Sequence, residues 1–212
     1  MDASAKTRKR PILFSGPMVR AILAGRKTQT RRVSRALTDG LSSGEIDVEK
    51  AKAQAIWCSY GKAGDRLWIR ETWSPIPAMK PAGYFSNPKW INRTAWYAAD
   101  NDKPIWGGRW RPSIHMPESQ SRLELEIVSV GVEQLREISE EDAVAEGAQF
   151  AGFPASLTNR GAFAKLWEEL NGPRGFGWEA NPLVWVVEFK IAEFGAGFGP
   201  PPREREDWED DE

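Results

Sequence analysis

The eight residues Gly25-Arg26-Lys27-Thr28-Gln29-Thr30-Arg31-Arg32 constrain this chain most, because three arginines, one lysine and two threonines follow directly on an apolar helical segment. Ser15 and Pro17 read as the start of that helix, a hydroxyl at the cap and a proline in the first turn. Val19, Ile22 and Leu23 recur at helical spacing and make a face that must be buried. Gly25 supplies the left-handed residue that ends the helix near Ala24. In a regular strand over 27–33, Lys27 and Thr30 would point to opposite faces while Thr30 and Arg32 share one. If Lys27 and Thr30 cooperate, Lys27 must therefore sit in the turn. A basic run is either a solvated face or a place of chemistry, and the rest of the chain has to decide between them.

A short strand at Ile12–Phe14 precedes the helix. Beyond the basic stretch, 34–60 is polar and reads as an inserted loop with a short helical piece near Val48 to Ala55. Gly61-Lys62-Ala63-Gly64-Asp65 is a turn, and Arg66–Trp73 alternates as a strand with Leu67, Ile69, Glu71 and Trp73 on one face. A carboxylate on an apolar face is either paired with an arginine or lines a pocket, so Glu71 is a second point of interest. Residues 74–120 hold Trp90, Trp96, Trp106 and Trp110 among prolines and glycines. They read as a loop-rich insertion whose aromatics build a satellite core or, interleaved with Lys89, Arg93, Arg109 and Arg111, stack on bases. His115, the only histidine, reads as structural, and Cys58, the only cysteine, permits no internal disulfide. No cofactor and no metal site are expected.

Arg122–Leu135 is a long alternating strand expected to bend near Gly131. Ser139-Glu140-Glu141-Asp142 opens a helix that Gly147 stops, which leaves Glu146 in the last turn, where the macrodipole opposes a carboxylate. Broken local preferences often mark sites. A second amphipathic helix carries Phe163, Leu166, Trp167 and Leu170, and Pro182–Ile191 is the final, well-buried strand.

At 212 residues, 41% hydrophobic and 28% charged, the chain is expected to form one domain over 11–192, with a basic extension at 1–10 and a disordered Gly/Pro then acidic tail at 193–212. No apolar run approaches the roughly 18 residues that span a bilayer, and the apolar stretch after the first basic residues is too short for a signal-peptide core, so the expected location is the cytoplasm. Residues 1–35 hold ten Lys/Arg against Asp2 alone, and 203–212 hold seven acids against two arginines. A basic face of this kind can meet phosphates. The acidic tail is either a solubilising extension or a competitor for that face.

The order of strand, helix, basic turn and strand, Gly-Asp turn and strand, long strand, helix pair and apolar last strand resembles the ASCH domains of the PUA-like superfamily. The matching residues are Ile22-Leu23-Ala24-Gly25-Arg26-Lys27-Thr28 with Thr30 and Arg32, then Lys62, Gly64-Asp65 and Leu67, then Ile138 to Glu146, and Val187-Glu188-Phe189-Lys190. Pro-Ile-Leu-Phe-Ser, Gly-Asp-Arg-Leu-Trp-x-Arg-Glu-Thr-Trp and Pro-Ser-Ile-His-Met-Pro are similar to segments of phage and prophage ASCH-like proteins. The resemblance implies an α+β fold built on a small, mostly antiparallel β-barrel with attendant helices. Small bacterial relatives remove the acetyl group from N4-acetylcytidine, and on that pattern Lys27 would be the proton acceptor, Thr30 the nucleophile and Glu146 the proton donor. Arg26, Gln29, Arg31, Arg32 and Glu71 are then candidates for holding substrate or RNA. The implied partner is a nucleoside or RNA, with no membrane. The alternatives that stay open are a non-catalytic RNA-binding module, a ribonuclease, and a phage morphogenesis or interaction protein.

Overall fold

A computed structural model describes residues 7–44, 47–53, 58–76, 95–100, 108–148 and 157–194. The tail from 195 onward, Trp90, Trp106, Lys89 and Arg93 lie outside the described residues, as does the start of the basic extension. β1 (Lys9–Leu13) leads into α1 (Gly16–Leu23) and β2 (Gln29–Val33). α2 (Arg35–Ser43) and α3 (Val48–Ala53) follow, then β3 (Arg66–Arg70), β4 (Trp73–Pro75) and β5 (Ala95–Tyr97). The long strand β6 (Leu123–Gln134), α4 (Glu140–Ala145), α5 (Asn159–Asn171) and β7 (Leu183–Phe194) complete the order.

Five strands make one sheet in the order β1-β3-β6-β7-β2, with β1 and β3 parallel and every other pairing antiparallel. The mostly antiparallel, mixed α/β character expected from the sequence is present; the closure into a barrel is not. β1 and β2 are the two edges of the sheet, and the eight-residue helix α1 carries the chain from one to the other. Val19 and Ile22 of α1 are buried in the main core with Ile12, Leu67, Leu125, Val187 and Phe189. A side chain links the two edges: Arg32 of β2 donates from Nη2 to the Leu13 carbonyl of β1 at 2.7 Å.

Several local expectations are corrected. Ser15 sits in extended backbone at the start of α1, but its hydroxyl makes no capping bond, and Pro17 alone favours the helix start. Residues 35–43 are helical where a loop was expected, because Leu37 and Gly40 lie on one buried side of the turn and Thr38 bonds back to the Ser34 carbonyl. The irregularities of β6 fall at Glu124/Leu125 and Ile127/Ser129, while Gly131 pairs in register with Val186. His115 is exposed on a short 3-10 turn, Ser113–His115, and Leu170 is 53% exposed on α5. In the described part of the region after β3, β4 and β5 pair antiparallel, and Trp73, Ala95, Tyr97 and Met116 form a small separate core. None of the helices among the described residues is long and apolar enough to cross a membrane.

Candidate functional site

Two glycines set the geometry from which the site grows. Gly25 (φ 69°) turns the chain out of α1, and Gly147 (φ 76°) turns it out of α4. A Cβ on Gly147 would stand 3.4 Å from the Cβ atoms of both Ala21 and Lys27, so the two turns pack against each other at a distance that glycine suits. A backbone bond from Thr28 N–H to the Ala145 carbonyl (2.9 Å) ties them together, and Phe189 N–H of β7 bonds the Thr28 carbonyl (2.8 Å).

Lys27 sits in the turn, and its side chain is fully buried. Its Nζ donates to the Gln29 carbonyl (2.8 Å), the Glu146 carbonyl (2.7 Å) and Glu146 Oε2 (2.7 Å). Three acceptors match the three N–H bonds of an ammonium. This also accounts for the misplaced carboxylate at the end of α4. Lys27 neutralises it and caps one of the orphan carbonyls that every helix end leaves. Burial pushes Lys27 below the ordinary lysine range, against the opposing pull of Glu146.

Arg31, 3% exposed, extends the network: Nη1 reaches Glu146 Oε1 at 3.4 Å, Nη2 reaches Asp142 Oδ2 at 3.0 Å, and Nε bonds Glu133 of β6. Burial alone would lower its pKa, but Glu146 and Glu133 raise it, so this guanidinium stays charged and is held by three carboxylates. Gln29 is buried too and donates Nε2 to the Asp142 carbonyl and side chain, at 2.9 and 3.0 Å. Burial raises Glu133 above the ordinary range, whereas in Asp142 the effect of burial is outweighed by bonds from Gln29 and Arg31, and its pKa falls.

The network opens on a cavity of about 280 Å³ between β2 and α5. That size is just below the usual range for small-molecule sites, about 300–1,000 Å³. Thr30, Arg31 and Arg32 form one wall, Phe163, Leu166, Trp167 and Leu170 of α5 another, and Met18, Tyr60, Asn171 and Arg174 complete it, with Glu146 also lining it. Among the described residues the Thr30 hydroxyl has no hydrogen-bond partner, so it is available to a ligand. Lys27 does not line the cavity and is coupled to it through Glu146.

The chain thus brings together Lys27, Gln29, Thr30, Arg31, Arg32 and Glu146, and leaves two candidates elsewhere. Arg26 is exposed in the turn and does not line the cavity. Glu71 is 1% exposed and forms a bidentate pair with Arg122 (2.7 and 2.9 Å), which also reaches Asp100 at 2.6 Å and stacks over Tyr97. Glu71 thus forms the structural pair and does not line the cavity beside β2. The sequence reading missed Tyr60, Asn171 and Arg174. Phe163, Leu166 and Trp167 were legible as an apolar helix face, but nothing in their spacing separates a cavity wall from a core. Among the described residues no group of three or more His, Cys, Asp or Glu is placed to hold a metal ion.

The described residues define an α+β fold with an open, mostly antiparallel sheet and a cavity of mixed polar and apolar lining against one edge strand. No family model matches this chain, and no curated protein matches it significantly. Among solved structures it is similar to a DUF984 protein from Enterococcus faecalis V583, at 12% identity over 89% of this chain and 82% of that one, with a TM-score of 0.42. It is also similar to an ASCH domain from Lactobacillus crispatus JV V101, at 15% identity over 87% and 79%, with a TM-score of 0.41. The functional reading therefore rests on this chain's own residues.

Proposed function

We propose that this chain is an ASCH/PUA-like protein that takes the base of a modified nucleoside into the cavity beside β2 and removes an acyl group from its exocyclic amine. One observation carries the reading: the unpartnered Thr30 hydroxyl and the Glu146 carboxylate line the same small cavity, and a buried lysine stands directly behind the carboxylate. Aromatic and aliphatic side chains of α5 supply a face for a planar ring, and Asn171 and Thr30 supply polar contacts for its edge.

A threonine hydroxyl is a weak nucleophile and needs a base nearby. In this mechanism Thr30 Oγ1 attacks the acyl carbonyl carbon, and its proton passes to the Lys27–Glu146 pair through the Glu146 carboxylate. Glu146 then returns that proton to the departing amine as the C–N bond breaks. Water hydrolyses the threonyl ester, which releases the carboxylic acid and restores Thr30. Transfer of a proton from Lys27 to Glu146 along their 2.7 Å bond leaves no donor unmatched, because the neutral amine still donates to the carbonyls of Gln29 and Glu146 and accepts from the protonated carboxyl.

The test is incubation of the purified protein with N4-acetylcytidine, with free cytidine measured by chromatography. Turnover is expected. Thr30→Ala should abolish it and leave nucleoside binding in place, and Lys27→Met should reduce it by about 10²–10⁴-fold, the usual contribution of a positioned acid–base group. Undiminished turnover in Thr30→Ala would remove threonine from the reaction. Binding of the acylated nucleoside without any turnover would make the protein a binding module.

A further inference from the structure

We propose that the ligand carries a phosphate, and that Arg32 and Arg174 bind it at the cavity. This rests on the reading of the cavity as a base site and specifies what the base is attached to. Glu146, the cavity's carboxylate, is held by both Lys27 and Arg31, and Arg31 is held in turn by Glu133 and Asp142. Arg32 and Arg174 have no such partner among the described residues. Arg32 is fixed from behind, with Nη2 on the Leu13 carbonyl and its guanidinium 5.2 Å from the centre of the Phe14 ring. Among the described residues its Nη1 has no acceptor, and its Nε is buried without one. Arg174 comes from the turn after α5, where Gly175 (φ 82°) reverses the chain, and its polar contact is a long one, 3.4 Å from Nη1 to Asn171 Oδ1.

Two guanidiniums that line one small cavity and have no carboxylate partner among the described residues leave positive charge there uncompensated. A neutral nucleoside can accept from their N–H groups but brings no opposing charge. A phosphate brings both, since its oxygens accept from guanidinium forks in charge-assisted bonds. The two arginines come from different elements, β2 and the turn after α5, so an anion held by both would also fix the orientation of the base against Thr30. Positioning of this kind is the ordinary role of phosphate contacts. The same chemistry is offered by a free mononucleotide and by a phosphodiester of single-stranded RNA.

Titration calorimetry of the full chain with cytidine, cytidine 5′-monophosphate, a single-stranded RNA pentanucleotide containing one cytidine, and inorganic phosphate tests this. The monophosphate, the pentanucleotide or both should bind at least about tenfold more tightly than cytidine, a gain of about 1.4 kcal/mol. Arg174→Gln, an exposed position with little bearing on folding, should remove that preference, and Arg32→Gln should do the same with unchanged circular dichroism. Equal affinity for the mononucleotide and the pentanucleotide assigns the site to free nucleotides. Tighter pentanucleotide binding with a steeper salt dependence assigns it to RNA, because each further phosphate contact releases a further counterion. Equal binding of cytidine and both phosphate-bearing ligands, or a preference that survives both substitutions, would overturn the proposal and leave the nucleoside reading intact. Inorganic phosphate that binds and is lost in Arg174→Gln, with no cytidine binding, would keep the phosphate site and remove the base site.

Discussion

Among the described residues the chain contains two buried ion networks of nearly the same chemistry, and the one around Glu146 lines a cavity. Around Arg122, Glu71 accepts a bidentate pair and Asp100 a third bond, and the guanidinium lies 4.3 Å over the Tyr97 ring. Burial opposes the charge on Arg122, but Glu71 and Asp100 raise its pKa. The network ties the start of β6 to the small core of β4 and β5. Around Glu146, Lys27 and Arg31 likewise neutralise a buried carboxylate, yet Glu146 also faces open space beside the unpartnered Thr30. Both satisfy the rule that buried charges are paired. Access and spare hydrogen-bonding capacity, rather than burial or residue type, separate a structural pair from a candidate site.

The comparison can be broken most forcefully at Arg122. Arg122→Leu leaves Glu71 buried without a cation among the described residues, and a broken buried pair of this kind costs about 3–5 kcal/mol. Urea unfolding monitored by tryptophan fluorescence measures it, and a loss below about 1 kcal/mol would show that Glu71 is not held there by charge. A smaller pair of effects sharpens the contrast. Glu71→Gln and Glu146→Gln should each cost about 1–3 kcal/mol of stability as buried hydrogen bonds are weakened. Deacylation should persist in Glu71→Gln and be lost in Glu146→Gln; equal loss in both would erase the distinction between the networks.

The smallest effect is in acid. The pKa of Asp142 is lowered in the folded chain by Gln29 and Arg31, so the unfolded chain takes up this proton first. Stability from Asp142 is complete above the ordinary aspartate range and is lost as pH falls through its lowered folded value. Glu133 is shifted the other way by burial, so its contribution is complete below the ordinary glutamate range and declines as pH rises through its raised value. Asp142→Asn should therefore lower the neutral plateau of a plot of urea midpoint against pH by a small amount and leave its acid end in place, so that the acid limb is flatter. An unchanged acid limb would place the linkage on other carboxylates.

What could be read in advance was local. Gly25 and Gly147 announced their turns, Ser139 caps α4 through the Asp142 amide (3.0 Å), and the alternation of Leu67, Ile69, Glu71 and Trp73 put a carboxylate on a buried face. Glu146 was conspicuous because it contradicts the helix macrodipole. Each of these depends on residues within a turn or two of one another, where periodicity and backbone preference act. Three things depended on the tertiary structure. Lys27 meets Glu146 across 119 residues of chain, because the turns that follow α1 and α4 pack together. Arg31 and Arg32 are adjacent and both line the cavity, but strand alternation and the packing of β6 and α4 place the first among three carboxylates and the second, among the described residues, beside none. Arg122, 51 residues beyond Glu71, was the arginine that claimed it. Pairing between distant charges is decided by which elements pack, and neither hydrophobic period nor local propensity encodes that choice.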